Sequence, residues 1–412
     1  MKPLLIPFAS TLQERGVNII TLNYMEKLRG LYEESLPIIT SIRDLEEYQD
    51  EIKNYPLIFA LACTGGTSKL IVALERFGKP IVILSHGKQN SLPSALEALY
   101  MLRARNHPAI LIHGLSQSSL ETLQKISLIG EALHDIANSK ILLIGGSKEW
   151  LESENYDLDN FSKLFGAEII YEEIEGFIEL VQKADSSREL IEHFKKFSKT
   201  EIRDEDIKES SKMYNAARNL LKKHNAEIFG IRCFPIIMRT KITPCLTVSK
   251  LIDEGIPAAC EADLSAAILI ALLMKITKRP VFMGNTVDIN DNEITFAHCT
   301  VATGFIEKAI LRKHFETEWS VSVAGIISEN KTVTFARFSH DFRRLMAGKG
   351  IISKGSPWSE EFCRTQLKVI VEGDPSKITR EPVGNHFVIA EGDYIRELEL
   401  LSELLGIRFE KI

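Results

Sequence analysis

The chain reads as an α/β protein with two doubly wound parallel-sheet domains followed by a β-rich C-terminal domain. Short apolar runs alternate with amphipathic stretches through the first third, the pattern of strand–helix–strand units on a parallel sheet. The alternation restarts at Lys140 in "KILLIGGSKEWL", where a strand ends in Gly-Gly and leads into a Ser-started helix. Past Ile306 the texture changes to short strands separated by turn residues. These shifts divide the sequence into 1–139, 140–305 and 306–412, and 412 residues are too many for one ordinary core.

In order, the expected strands of the first domain are "PLLIPFA", "NIITLN", "PLIFALAC", "PIVILS" and "PAILIHG", with helices in "TSKLIVALERFG" and "SLPSALEALYMLRAR". From Asp157 to about Glu227 the chain is charged and mostly helical, as in "SSRELIEHFKKF" and "SSKMYNAARNLLKKH". "IFGIRCFPIIM" returns to strand character, and "IPAACEADLSAAILIALLMKITKRPVFMGN" reads strand, helix, strand. "EWSVSVAGIIS", "KTVTFARFS", "CRTQLKVIVEGD" and "HFVIAEGD" are the C-terminal strands, closed by the helix "YIRELELLSELLG".

The net charge of −6 is mild and no Lys/Arg run or aromatic-interleaved basic patch occurs, so neither nucleic acid nor an anionic membrane is an expected partner. The longest apolar run, "LSAAILIALLM", is too short to span a bilayer, and "MKPLLIPFASTLQE" lacks a signal-peptide layout. Cys63, Cys233, Cys245, Cys260, Cys299 and Cys363 are scattered without a CxxC pair, which argues against a zinc knuckle or thioredoxin-like site. A reducing cytoplasm is the simplest compartment.

Glu261 and Asp263 fall between a strand and a helix, at the end of a strand where open α/β sheets bind ligands. Asp263 suits the N-cap of the helix from Leu264. Glu261 at a helix start stays ionised and is a good ligand for a divalent cation. Asn285 and Asp288 follow a strand expected to end near Gly284, and "NDN" at 290–292 signals a turn. His298 and His386 each sit in an apolar strand, where a lone His is more often a satisfied core residue; with Glu261 they make an N/O set suited to Mn²⁺, Fe²⁺, Co²⁺ or Zn²⁺. "CTGGTSKL" is a Gly-rich turn without P-loop spacing. No GxSxG supports a nucleophilic triad. Thr67, His86 and Asn90, at strand ends, offer donors and acceptors to a sugar or serve as turns and caps. Arg232 suits an anionic substituent or a surface ion pair.

The segments "TGGTS", "NSLPSALEAL", "RCFPII", "TPCLTVSKLIDEGIPAACEADLSAA", "FMGN", "AHCTV", "HFETEWSVSVAG" and "GNHFVIAEGDY", in order, resemble the L-fucose isomerase and L-arabinose isomerase superfamily, particularly its shorter fucose-isomerase-like branch. The resemblance implies a barrel-like third domain and a divalent metal, typically Mn²⁺. It also implies a homo-oligomer, trimer or hexamer, in which a neighbouring subunit helps close the site. Glu261 matches the first carboxylate ligand and base, and His298 and His386 match histidine ligands. The expected activity is aldose–ketose isomerisation of a fucose- or arabinose-type sugar through an ene-diolate. One departure stands out: the second acid of the family is replaced by Asn285, and "FM-x-N" is a pattern of the shorter branch itself. Asp288, or another group, then transfers the second proton, or the chemistry differs. The rivals are an epimerase, an isomerase of an acidic or sulfonated sugar, and a non-catalytic sugar-binding protein.

Overall fold

The computed structural model describes residues 1–11 and 17–412, without the side chains of 17–20. It divides into two compact units: 1–135 with 396–408, and 136–395 with 409–412.

The first unit carries strands β1 (Leu4–Phe8), β2 (Glu34–Ser35), β3 (Ile58–Ala62), β4 (Ile81–Ser85) and β5 (Ala109–His113). Every pairing is parallel, in the order β2-β1-β3-β4-β5. β1, β3 and β4 are buried along their whole length, as parallel strands covered on both faces must be. "NIITLN", expected as a strand, lies instead in the helix Val17–Lys27. Its β-branched residues favour a strand only as a weak prior, which packing overrides; Thr21 in that helix is buried and donates to Cys63 Sγ at 3.2 Å. The closing helix Ile395–Leu405 forms as expected and from Arg396 onward belongs to this first unit.

The second unit opens with β6 (Lys140–Ile144), β7 (Glu168–Glu172), β8 (Ser198–Thr200), β9 (Ile228–Ile231) and β10 (Ala258–Cys260). β10-β9-β6-β7 form a parallel sheet. Arg232 and Glu261 are therefore the first residues past the carboxyl ends of two adjacent strands, β9 and β10. The strand character read into "IFGIRCFPIIM" stops at Ile231, and Cys233–Thr240 is a helix. Pro235 falls in its first turn, where an N–H has no intrahelical partner to lose.

The remaining strands, β11 (Phe282–Asn290), β12 (Glu293–His298), β13 (Lys308–Arg312), β14 (Ser322–Ile326), β15 (Thr332–Phe338), β16 (Arg344–Lys354), β17 (Thr365–Val371), β18 (His386–Glu391) and β19 (Arg408–Lys411), pair mainly antiparallel, with β13 parallel to β8. The order β15-β18-β11-β12-β17-β16 closes by pairing β16 back onto β15, giving a six-stranded barrel without free edges. β19 extends β16, and β14-β13-β8 make a small separate sheet. β16 had no strand signature, because "RLMAGKGIISK" breaks apolar alternation with Lys and Gly. Its glycines are required by close approach: a Cβ on Gly350 would stand 2.1 Å from the Ile370 carbonyl oxygen, and one on Gly348 2.5 Å from the Phe335 ring. Among the described residues no helix is long and apolar enough to cross a membrane.

Candidate active site

β10 ends at Cys260 and the next helix, Leu264–Thr277, begins four residues on. The chain reverses in that space by putting two consecutive non-glycine residues, Glu261 (φ 57) and Ala262 (φ 49), in the left-handed region. Such a conformation costs roughly 1–2 kcal/mol per residue and persists only where surroundings enforce it. Here the Ala262 N–H donates to the Ile231 carbonyl at 3.0 Å and the Asp263 N–H to the Cys260 carbonyl at 3.2 Å.

Asp263 caps the helix, its Oδ1 accepting from the Ala266 N–H at 2.8 Å. The same carboxylate also accepts from Tyr156 Oη at 3.0 Å, Arg337 Nη1 at 2.8 Å and His386 Nδ1 at 2.9 Å. Burial alone would raise its pKa, but the Arg337 charge and the His386 hydrogen bond hold it well below the usual carboxylate range. Arg337, 1% exposed, also donates to the carbonyls of Val383 and His386 and to His340 Nε2 at 2.8 Å.

With Nδ1 fixed on Asp263, His386 turns Nε2 toward Glu261 Oε1, 3.5 Å away. His298 Nε2 stands 4.0 Å from the same oxygen. The barrel register explains the meeting: β11 lies between β12 and β18, with Asn285 opposite both Ala297 and His386. One ligand atom from each of Glu261, His298 and His386 lies within 4.8 Å of the other two. Both ring nitrogens of His298, and Nε2 of His386, are buried without a hydrogen-bond partner. Satisfied core histidines do not look like this, since buried polar atoms are nearly always paired. One carboxylate and two imidazoles fit a first-row divalent ion, and Asp263 is the outer carboxylate that orients a ligating His.

The electrostatics are those of a compact cluster. Burial and the neighbouring His386 push His298 down to about 4. His386 is pushed up to about 9: burial opposes this, but Asp263 and Glu261 outweigh it. Burial would likewise raise Glu261, yet His386 and His298 bring it below its ordinary value, so its carboxylate is ionised at neutral pH.

Glu261, Asp263 and His386 line a cavity of about 510 Å³, together with Trp150, Arg232 and Asn385. The Arg232 guanidinium lies 4.8 Å over the Trp150 ring and makes no ion pair among the described residues.

The other expected site residues fare differently. Asn285 lines a smaller cavity with Glu261 and His298, and its Oδ1 accepts from Asn385 Nδ2 at 2.7 Å. Asp288 is not brought in. β11 does not end near Gly284 but runs to Asn290 in a hairpin turned by Asp291 and Asn292. Three residues of strand carry Asp288 about 10 Å past Asn285, where it is exposed and lines neither cavity. Thr67, His86 and Asn90 belong to the first unit. Thr67 is fully buried with its hydroxyl bonded to the Thr64 carbonyl and Ser94 Oγ, which makes it structural rather than sugar-binding. His86 is buried, its Nδ1 accepting from the Lys88 N–H at 3.2 Å. Asn90 lines a cavity of about 440 Å³ with Ser10, Gly66 and Glu97.

Sequence reasoning missed Arg337 and the second role of Asp263. The signal for Arg337 was present: a lone Arg inside the apolar strand "TVTFARF" is rarely buried unless paired.

No family model matches the chain. Its sequence is similar to sugar isomerases. The sulfoquinovose isomerase of Alkalicoccus urumqiensis is 21% identical over 283 residues, 64% of each chain. The sulfoquinovose isomerase of Clostridium sp. (strain MSTE9) is 24% identical over 214 residues, 48% of this chain and 47% of the relative. The sulfoquinovose isomerase of Priestia megaterium (strain ATCC 12872 / QMB1551) is 19% identical over 408 residues, 90% of this chain and 89% of the relative. The chain thus spans just under two thirds of the first of these relatives and about half of the second.

Proposed function

We propose that the chain is a divalent-metal-dependent aldose–ketose isomerase whose sugar carries a sulfonate or similar anion. The observation that carries this reading is the trio Glu261, His298 and His386, with three buried ring nitrogens unpartnered, beside a cavity of about 510 Å³. The sulfoquinovose isomerases named above support it. A bound divalent ion, Mn²⁺ in this proposal, supplies Lewis-acid polarisation of the sugar's oxygens at C1 and C2.

Glu261 is the base. Its carboxylate takes the proton from C2, and the C–H pair forms the C1=C2 bond as O1 takes a proton from solvent. The resulting ene-diol releases the O2 proton to solvent, C2=O forms, and Glu261 returns its proton to C1. Base catalysis of this kind is worth roughly 10²–10⁴-fold. Asp263 keeps His386 in one tautomer and orientation while this happens. Asn285, an amide, is no base, and serves the sugar or its neighbour Asn385.

Arg232 distinguishes an anionic sugar from a neutral one. A planar guanidinium over the Trp150 ring, without a carboxylate of its own among the described residues, is suited to donating two hydrogen bonds to a tetrahedral oxyanion. The test is turnover of sulfoquinovose against L-fucose and L-arabinose by Mn²⁺-loaded protein, with ketose product and solvent deuterium at C1 measured together. The proposal expects deuterated ketose from the sulfonated sugar, a loss of about 10²-fold or more in Glu261→Gln, and a selective loss with the sulfonated sugar in Arg232→Met. Turnover of the neutral sugars alone would return the reading to a fucose- or arabinose-type isomerase. Full activity in Glu261→Gln would refute the base.

A further inference from the structure

The cysteines that looked scattered in sequence converge. Cys233, Cys245, Cys260, Cys299 and Cys363, with His314 and Glu316, line the same small cavity as Glu261, Asn285 and His298. Cys245 takes the ordinary part of a buried thiol, packing among Ala297, Val287 and Phe315. Cys299 differs because it also faces polar groups. One ligand atom each from Cys299, His314 and Glu316 lies within 4.8 Å of the other two.

From this geometry we infer a second metal site, adjoining the first but sharing no ligand with it, in which Cys299 Sγ, His314 Nε2 and Glu316 bind a thiophilic divalent ion, Zn²⁺ by preference. Three features support it. His314 is 4% exposed, and its Nδ1 is engaged by Thr317 Oγ1 at 3.2 Å, leaving Nε2 3.4 Å from Glu316 Oε2. That separation is close to the roughly 3.3–3.8 Å between neighbouring ligands around a tetrahedral zinc. The cavity that these residues share with Glu261, Asn285 and His298 holds about 20 Å³, too little for a sugar. The loop that presents His314 and Glu316 is built tightly: His314 N–H donates to the Trp319 carbonyl at 3.1 Å and Glu318 N–H to the His314 carbonyl at 2.9 Å. Glu318 in that loop is left-handed, at φ 54.

The ligand set decides which ion. A thiolate with imidazole selects zinc over manganese, whereas Glu261, His298 and His386 offer no sulfur. Binding replaces the Cys299 thiol proton, which leaves to solvent. Cys363, whose Sγ is 3.8 Å from Glu316 Oε1, stays protonated beside the thiolate. The site stands or falls apart from the isomerase proposal, because its ligands are different residues.

The experiment loads metal-stripped protein with Co²⁺ and looks for the near-ultraviolet sulfur-to-cobalt charge-transfer band, alongside zinc content by elemental analysis. The band is expected in the wild type and in His386→Asn, which disables only the first site. It is expected to vanish, with the loss of one zinc per chain, in Cys299→Ser and in His314→Asn. The two variants keep the test independent of either one's folding. Absence of the band in the wild type overturns the inference, as does its survival in Cys299→Ser. A Cys299–Cys363 disulfide in protein purified without reductant, seen as a two-hydrogen mass deficit, also overturns it.

Discussion

Replacing Asp263 by Ala should do far more damage than loss of a helix cap. The carboxylate accepts four hydrogen bonds, from Ala266 N–H, Tyr156, Arg337 and His386. An N-cap is worth about 1 kcal/mol. A buried phenol left without its partner costs about another 1 kcal/mol. The largest share comes from Arg337, 1% exposed, whose charge would be left uncompensated at a cost of about 3–5 kcal/mol. Together these approach the whole stability of an ordinary domain, about 5–15 kcal/mol. Adding Arg337→Met removes the stranded charge, so the double variant should recover about 3 kcal/mol relative to Asp263→Ala. The assay is chemical denaturation of metal-free protein followed by tryptophan fluorescence. Trp150, Trp319 and Trp358 all belong to the second unit, so the signal reports the unit that holds the site. If Asp263→Ala costs only about 1 kcal/mol, the value of a cap alone, or if Arg337→Met restores nothing, the argument for a stranded charge is wrong.

Three further outcomes follow from the same geometry. In metal-free protein, stability should peak near pH 6.5. The contribution from neutral His298 is present above 6.5 and lost as pH falls toward about 4, and that from cationic His386 is present below 6.5 and lost as pH rises through about 9. Melting curves from pH 4 to 9 check this, and added Mn²⁺ should flatten the alkaline limb by taking Nε2 without its proton. Gly384→Ala should cost more than about 3 kcal/mol, because its φ is +136 and a Cβ there would stand 2.0 Å from Arg337 Nε; soluble expression and melting temperature report it. Ala262→Gly should hold or raise stability by up to about 1 kcal/mol by relieving a left-handed alanine, and a clear loss on denaturation would show that its methyl packing outweighs the strain.

Local patterns carried the fold a long way. β1, β3 and β4 sit inside the apolar runs that announced them, because a strand buried on both faces must be apolar throughout. β16 escaped because its local chemistry serves distant partners: Gly348 and Gly350 exist for Phe335 and Ile370, neither a sequence neighbour. The same limit hid the continuation of β11. Nothing around Gly284 tells a strand end from a strand crossing between β12 and β18, and that difference moves Asp288 out to solvent.

At the site, residue type was legible and connection was not. Asp263 was readable as a cap because a cap bonds its own helix, three residues on. Its bonds to Tyr156, Arg337 and His386 cross to other elements and leave no local trace. These distant bonds also explain why the turn can hold Glu261 and Ala262 left-handed. A turn strained by roughly 1–2 kcal/mol per residue would relax if its end were free. Here Asp263, the next residue, is tied to Arg337, and Arg337 to the carbonyls of Val383 and His386. The barrel therefore holds the strand-to-helix turn in the conformation that directs Glu261 toward His386. Breaking the Asp263–Arg337 pair should disturb the position of Glu261 even in a variant that still folds, and weaken first-site metal binding without touching any of its three ligands.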